Sequence, residues 1–115
     1  MKISKLTALL VLSILIATTY ADQSCAYKQG EDQQSCYRVS VGFSKVYIDG
    51  LYKALKKIPI VDKDELDRNN DIWAAKVNAM CKTNRCMDDQ HIYRVNFLAS
   101  ELKRIRAEQE AQASR

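Results

Sequence analysis

A cysteine pair set between two helical stripes, Cys81 and Cys86, leaves this chain few ways to fold. Upstream, Trp73, Val77 and Met80 fall at i, i+4 and i+7, which is one face of a helix leading into Cys81. Downstream, Val95, Leu98, Leu102 and Ile105 repeat at three and four residues, again one apolar helical face. Two helices therefore flank a cysteine-bounded corner. In the link Lys82-Thr83-Asn84-Arg85, Asn84 is the residue that best tolerates a left-handed turn, and Asp88 or Asp89 is placed to cap the helix that follows.

The first residues read as an export signal. Lys2 and Lys5 give a positive start, Leu6 to Ala17 an apolar run, and Thr19-Tyr20-Ala21 a small-x-small cleavage site. The apolar run is shorter than the roughly 20 residues a spanning helix needs, and no other such run follows, so no integral membrane segment is expected in the mature chain. Asp22-Gln23-Ser24 before Cys25 lacks the aliphatic and small residues of a lipid-attachment site. The expected division is residues 1–21 as signal peptide, 22–107 as a helical domain and 108–115 as a polar tail that frays. Export also removes two lysines, leaving 16 Lys plus Arg against 14 Asp plus Glu, a net charge of about +2. That balance makes no electrostatic case for nucleic acid or a strongly anionic membrane.

A mature chain of 94 residues supports one domain with a modest core, and gains from cross-links. Cys25, Cys36, Cys81 and Cys86 are expected to form two disulfides, each typically worth about 2–4 kcal/mol. Of the three connectivities, the local pairing Cys25 with Cys36 and Cys81 with Cys86 is favoured, because each pair is close in sequence and brackets a polar corner. The alternatives join Cys25 to Cys86 with Cys36 to Cys81, or Cys25 to Cys81 with Cys36 to Cys86. Cys-x10-Cys, Cys-x4-Cys and the single His91 do not make a zinc pattern, and no cofactor is expected.

Between Cys36 and Pro59, Val41, Ile48, Tyr52 and Leu55 share a helical face, with Leu51 and Ile58 beside them. Val41, Phe43, Val46, Tyr47 and Ile48 also suit strands, and Gly42 and Gly50 each weaken a helix interior by up to about 1 kcal/mol. Helix is still the better reading, since the pattern continues through LYKALKKI until Pro59 ends it. Asp62 is the N-cap of the next helix and Glu65 is placed to complete a capping box; Leu66, Trp73, Val77 and Met80 form its inward stripe. The acidic run Asp62, Asp64, Glu65, Asp67 and Asp71 lacks the glycine and terminal glutamate of a calcium loop, and reads as capping and solvated surface. The whole is expected to be a small all-α, disulfide-stapled domain of about four helices, one of them short between Cys25 and Cys36.

Cysteines and stripes together resemble the lysozyme inhibitor LprI-like domain of bacterial envelope proteins, over Cys25 to Leu98. After a second cysteine that family has leucine, aspartate, leucine-asparagine and tyrosine at fixed spacings; Val41, Lys45, Ile48-Asp49 and Tyr52 stand there in this chain. Its Gln-x-x-Trp before the third cysteine is matched by Asn70-x-x-Trp73 and Cys81. Beyond the fourth cysteine, Met87, His91, Arg94-Val95 and Leu98 occupy the aliphatic, tyrosine, arginine-aliphatic and leucine places. The four cysteines, Tyr52, Trp73, Arg94 and Leu98 fit, whereas Lys45, Val77 and His91 depart, as in a divergent member. The resemblance implies a periplasmic helical domain in a Gram-negative cell that binds, and in some members blocks, a lysozyme or related peptidoglycan hydrolase.

Such inhibition has a physical requirement. Lysozyme-type glycosidases work with two carboxylates in a cleft, which a protruding cationic or hydrogen-bonding tip can enter. Lys82, Thr83, Asn84 and Arg85, clamped between Cys81 and Cys86, have that chemistry, although a solvated turn has the same composition. A charge near +2 offers no long-range steering toward cationic lysozymes. Tyr52 and Trp73 are expected as core anchors with partnered polar atoms, Leu98 as an apolar anchor, and Arg94 as paired with a carboxylate such as Asp49 or Asp71. His91 is expected at the surface or partly buried, since no nucleophile or carboxylate constellation accompanies it. The sequence carries no nucleotide loop, metal set or nucleophile–base pattern, so a binding protein is expected rather than an enzyme. Two other classes fit the same features: a secreted helical effector, toxin or hormone-like, and an immunity protein against a cell-wall hydrolase.

Overall fold

The computed structural model describes residues 25–115. The expected signal peptide, its expected cleavage site and Asp22 to Ser24 lie outside the described residues. Among the described residues, three helices, α1 (Gly30–Lys56), α2 (Lys63–Met80) and α3 (Asn84–Ala113), account for the architecture, and there is no strand.

α1 starts where Gly30 takes φ +57°, a left-handed conformation that favours glycine, after Gln29 in extended backbone. Cys25 is bonded to Cys36 across this turn, with Cα atoms 5.4 Å apart. No separate short helix lies between these two cysteines: Cys36 belongs to the second turn of α1, and the expected fourth helix is part of it. The strand-prone residues of α1 stay helical because the buried set Tyr37, Ser40, Ser44, Ile48, Tyr52 and Leu55 repeats at three and four residues. Glu31 and Asp32 in the first turn and Lys53 and Lys56 in the last suit the helix dipole. The helix ends at Lys56, and Ile58, buried beyond its end, donates its N–H to the Leu55 carbonyl at 3.1 Å.

Asp62 caps α2, its side chain accepting from the Glu65 N–H at 3.1 Å, while Glu65 returns no bond among the described residues, so half of the expected capping box forms. The stripe of α2 is shallower than its sequence suggests. Val77 is buried, Leu66 and Trp73 are half-buried, and Met80, expected inside, is exposed at the end of the helix. α3 begins with Thr83 as N-cap, in place of Asp88 or Asp89. It runs to Ala113, so the segment from Glu108 is helical rather than frayed; Arg104 pairs with Glu101 and Glu108 at 2.7 and 2.8 Å.

Contacts between the helices fix their directions. Near their starts, Asn84 of α3 donates to the Gln34 side chain of α1 at 2.8 Å, and further on Arg94 reaches Tyr52, so α1 and α3 run parallel. α2 returns alongside them: Asp67 near its start meets Lys56 at 2.6 Å, and Trp73 further on meets His91. The apolar core lies where α1 and α3 pack, from Ile48, Tyr52, Leu55 and Ile58 against Val95, Leu98 and Leu102. The molecule measures 56 × 31 × 14 Å. Its radius of gyration of 16.0 Å exceeds the about 12 Å of a compact domain of this length, as long parallel helices with one short return require.

Candidate functional site

The corner between α2 and α3 is built from its backbone outward. Cys81 leaves α2 in extended conformation with its N–H donating to the Val77 carbonyl at 2.8 Å, and its disulfide to Cys86 sets the two Cα atoms 5.3 Å apart. The Thr83 hydroxyl accepts from the Cys86 N–H at 3.1 Å. Asn84 is the first residue of α3 and has no left-handed backbone; no non-glycine residue does among the described ones. Its amide, half-buried, is bound to Gln34 instead. Thr83 and Asn84 thus hold the corner, and Lys82 and Arg85, both exposed beside exposed Met80, are what it offers to solvent.

A second constellation lies on the groove side, where the predicted anchors meet. Arg94 is buried, and its Nη2 donates to the Tyr52 hydroxyl and, at 2.7 Å, to Asn69 Oδ1. Its guanidinium carbon lies 5.7, 5.2 and 5.3 Å from the ring centroids of Tyr52, Trp73 and Phe97. The expected carboxylate partner is not what holds it: Asp49 pairs with Lys53 at 2.9 Å, and a phenol, an amide and three rings take its place. Guanidinium tolerates this because it is weakly hydrated and stacks on aromatic faces. The arrangement is incomplete, since Arg94 Nε is buried without a partner.

His91 is more deeply placed than its sequence position implies. It is 4% exposed, its Nδ1–H donates to the Met87 carbonyl at 2.6 Å, and its ring stands edge-on to Trp73 with centroids 5.1 Å apart. Burial lowers its pKa from the ordinary value of 6.5, and the charge of Lys45 lowers it further, against the opposing pull of the Met87 carbonyl. A neutral imidazole so held is a packing and hydrogen-bonding group. Above it opens a groove of about 360 Å³ whose rim includes Lys45, Asp49, Asn70 and Asn78, with Trp73 in its wall.

Tyr52, Trp73, Arg94 and Leu98 are brought together in one region, while the corner residues lie beyond the C-terminal end of α2. Sequence reasoning missed Asn69 and Phe97 as partners of Arg94. Asn69 had a signal, standing four residues before Trp73 on the same stripe. Asp88, expected with Asp89 as a candidate cap, is instead fully buried and partnered inside α3. The two disulfides are compatible with an exported chain, and no helix among the described residues is long and apolar enough to cross a membrane. Set against known protein families, curated proteins and solved structures, the chain matches none of them.

Proposed function

We propose that this chain is an exported protein-binding domain of a Gram-negative envelope, which binds and inhibits a lysozyme or related peptidoglycan hydrolase without cofactor or catalysis of its own. The observation that carries the reading is the corner: Lys82 and Arg85 stand in solvent on backbone fixed by the Cys81–Cys86 bond, the Thr83 cap and the Asn84–Gln34 hydrogen bond. Two cations presented this way lose little conformational freedom on binding and complement the paired carboxylates of a glycosidase cleft. The LprI-like pattern of Cys25, Cys36, Tyr52, Trp73, Cys81, Cys86, Arg94 and Leu98 supports the same reading.

The test is titration of the oxidised protein against a panel of lysozymes in a cell-wall lysis assay, with a reduced sample alongside. Stoichiometric inhibition is expected, lost on reduction and lost in Lys82→Ala/Arg85→Ala with helix content unchanged. Inhibition that survives the double change would remove the corner as the contact. No inhibition across the panel would turn the reading toward an immunity protein with a dedicated hydrolase, or toward a secreted effector.

A further inference from the structure

α1 carries two apolar faces, and only one is covered among the described residues. The covered face is the one that buries Tyr37, Ser44, Ile48 and Leu55. Nearly opposite, at 3.6 residues per turn, run Val39, Phe43 and Val46, which are 59%, 62% and 69% exposed. Gly50 continues that stripe four residues on. A glycine inside a helix costs about 0.5–1 kcal/mol relative to alanine, and here nothing among the described residues requires it: an added Cβ at Gly50 would meet none of their atoms within 4 Å. The stripe ends in opposite charges. Asp32 lies at its start and Lys57 just past its end, both exposed and neither in an ion pair among the described residues.

We propose that this face is the interface of a homodimer, in which two α1 helices pack antiparallel about a two-fold axis that passes between the levels of Ser44 and Lys45. That one register satisfies every feature of the stripe. Phe43 meets the partner's Val46, Val39 closes on the partner's Gly50, and Asp32 faces the partner's Lys57, each contact occurring twice as two-fold symmetry demands. A side chain at position 50 would hold the helices apart at the partner's Val39. Parallel pairing would instead set Asp32 against the partner's Asp32 and Lys57 against the partner's Lys57, so the charges select the antiparallel arrangement. A contact along a single helix is small, below the about 1,200 Å² of standard stable interfaces, and the dimer is weak and reversible. It places the two corners toward opposite ends of the assembly, because Gln34, bound to Asn84, lies near the start of α1. The dimer does not rest on the hydrolase reading and stands or falls without it.

The experiment is sedimentation velocity of the oxidised protein over a wide concentration range, with circular dichroism to confirm that variants keep their helix content. The wild type is expected to rise toward twice the protomer mass. Val46→Asp, at a position already in solvent, is expected to stay monomeric. Gly50→Leu is expected to weaken association, and Asp32→Lys to weaken it by a smaller factor that Asp32→Lys/Lys57→Asp recovers. Spin labels at position 57 are expected about 38 Å apart, the rise of the 25 residues between Asp32 and Lys57, as the antiparallel register sets Lys57 beside the partner's Asp32. A protein monomeric throughout, a dimer indifferent to Val46→Asp, or labels within about 15 Å of each other would overturn the proposal, the last by showing a parallel pair. So would a monomer that binds phosphatidylcholine or phosphatidylglycerol vesicles through Phe43, because the stripe would then be a lipid-facing surface.

Discussion

α1 and α3 are joined to each other differently from the way α2 is joined to both. Where α1 and α3 pack, Ile48, Tyr52, Leu55, Val95, Leu98 and Leu102 are buried together, and each such side chain is worth about 1.5–3 kcal/mol. Over its 18 residues α2 buries Val77 alone. What holds it otherwise is the half-buried pair Leu66 and Trp73, the bonds and stacking of Arg94, the Cys81–Cys86 link and an ion pair of Lys56 with Asp67. That ion pair is exposed on both sides and adds little. The parallel pair is thus the stable unit, and α2, which carries one side of the groove and leads into the corner, is the element that opens first.

Leu98→Ala gives the largest expected effect. Leu98 is 1% exposed in the core, and its truncation costs about 2–5 kcal/mol from lost burial and the cavity left behind. Chemical denaturation should show this as a lower midpoint, and hydrogen exchange should accelerate most in α1 and α3, whose amides exchange only when that core opens. Faster exchange confined to α2 would mean that Leu98 holds α2 rather than the core its burial places it in.

Arg94→Ala separates them. It removes the stacking on Trp73 and leaves Tyr52 and Asn69 without the donor they share, at an expected cost of about 2–3 kcal/mol. Because Asn69 and Trp73 belong to α2, exchange there should rise well beyond that in α1. Arg94→Lys should recover little, since a compact, strongly hydrated ammonium cannot stack on the ring faces as the flat guanidinium does. Equal loosening of α1 and α2 would show Arg94 to be an ordinary core residue.

Cys81→Ser/Cys86→Ser is next, at about 2 kcal/mol for so short a loop. The loss should again fall on the C-terminal end of α2, with the α1 and α3 core protected as before. Unchanged protection at Val77 and Met80 would show that the Thr83 cap and the Asn84–Gln34 bond suffice to hold the corner.

The same contrast decides what the sequence made legible. Periodic apolar positions identified the packed faces of α1 and α3, and the local cysteine pairing followed from closeness in the chain. Deep burial obeys a simple spacing rule, so Val95, Leu98 and Leu102 were readable. α2 was not, because its attachment is polar and long-range. Nothing local to Arg94 distinguishes an amide 25 residues away from a carboxylate, and the latter was expected on charge alone. Met80 kept the spacing of the stripe but lies past the point where α2 still faces its neighbours. Asn84 was read as a turn residue because Asn tolerates left-handed backbone. The corner needed no such residue once Thr83 in extended conformation could start the helix directly. Corner chemistry, by contrast, was legible: exposed Lys82 and Arg85 between two bonded cysteines are what the sequence displays.

The smallest expected effect is on pH. His91 faces Trp73 from α2, Lys45 from α1 and the Met87 carbonyl of its own helix, and its pKa in the folded protein lies below the ordinary 6.5. On acidification from neutral pH, the unfolded chain therefore takes up a proton at His91 before the folded chain does. Stability contributed by the neutral imidazole is present above about pH 6.5 and is lost as pH falls from there through the lowered folded value. Denaturation midpoints between pH 7.5 and 5.5, a window above the titration of ordinary carboxylates, should decline in the wild type and stay flat in His91→Gln. Exchange at Trp73 and its neighbours in α2 should quicken over the same range, while Leu55 in α1 stays protected. A decline of equal slope in His91→Gln would assign the dependence to other groups. A decline shared evenly by α1 and α2 would mean that the imidazole acts on the common core, and that α2 is more firmly joined than its single buried valine suggests.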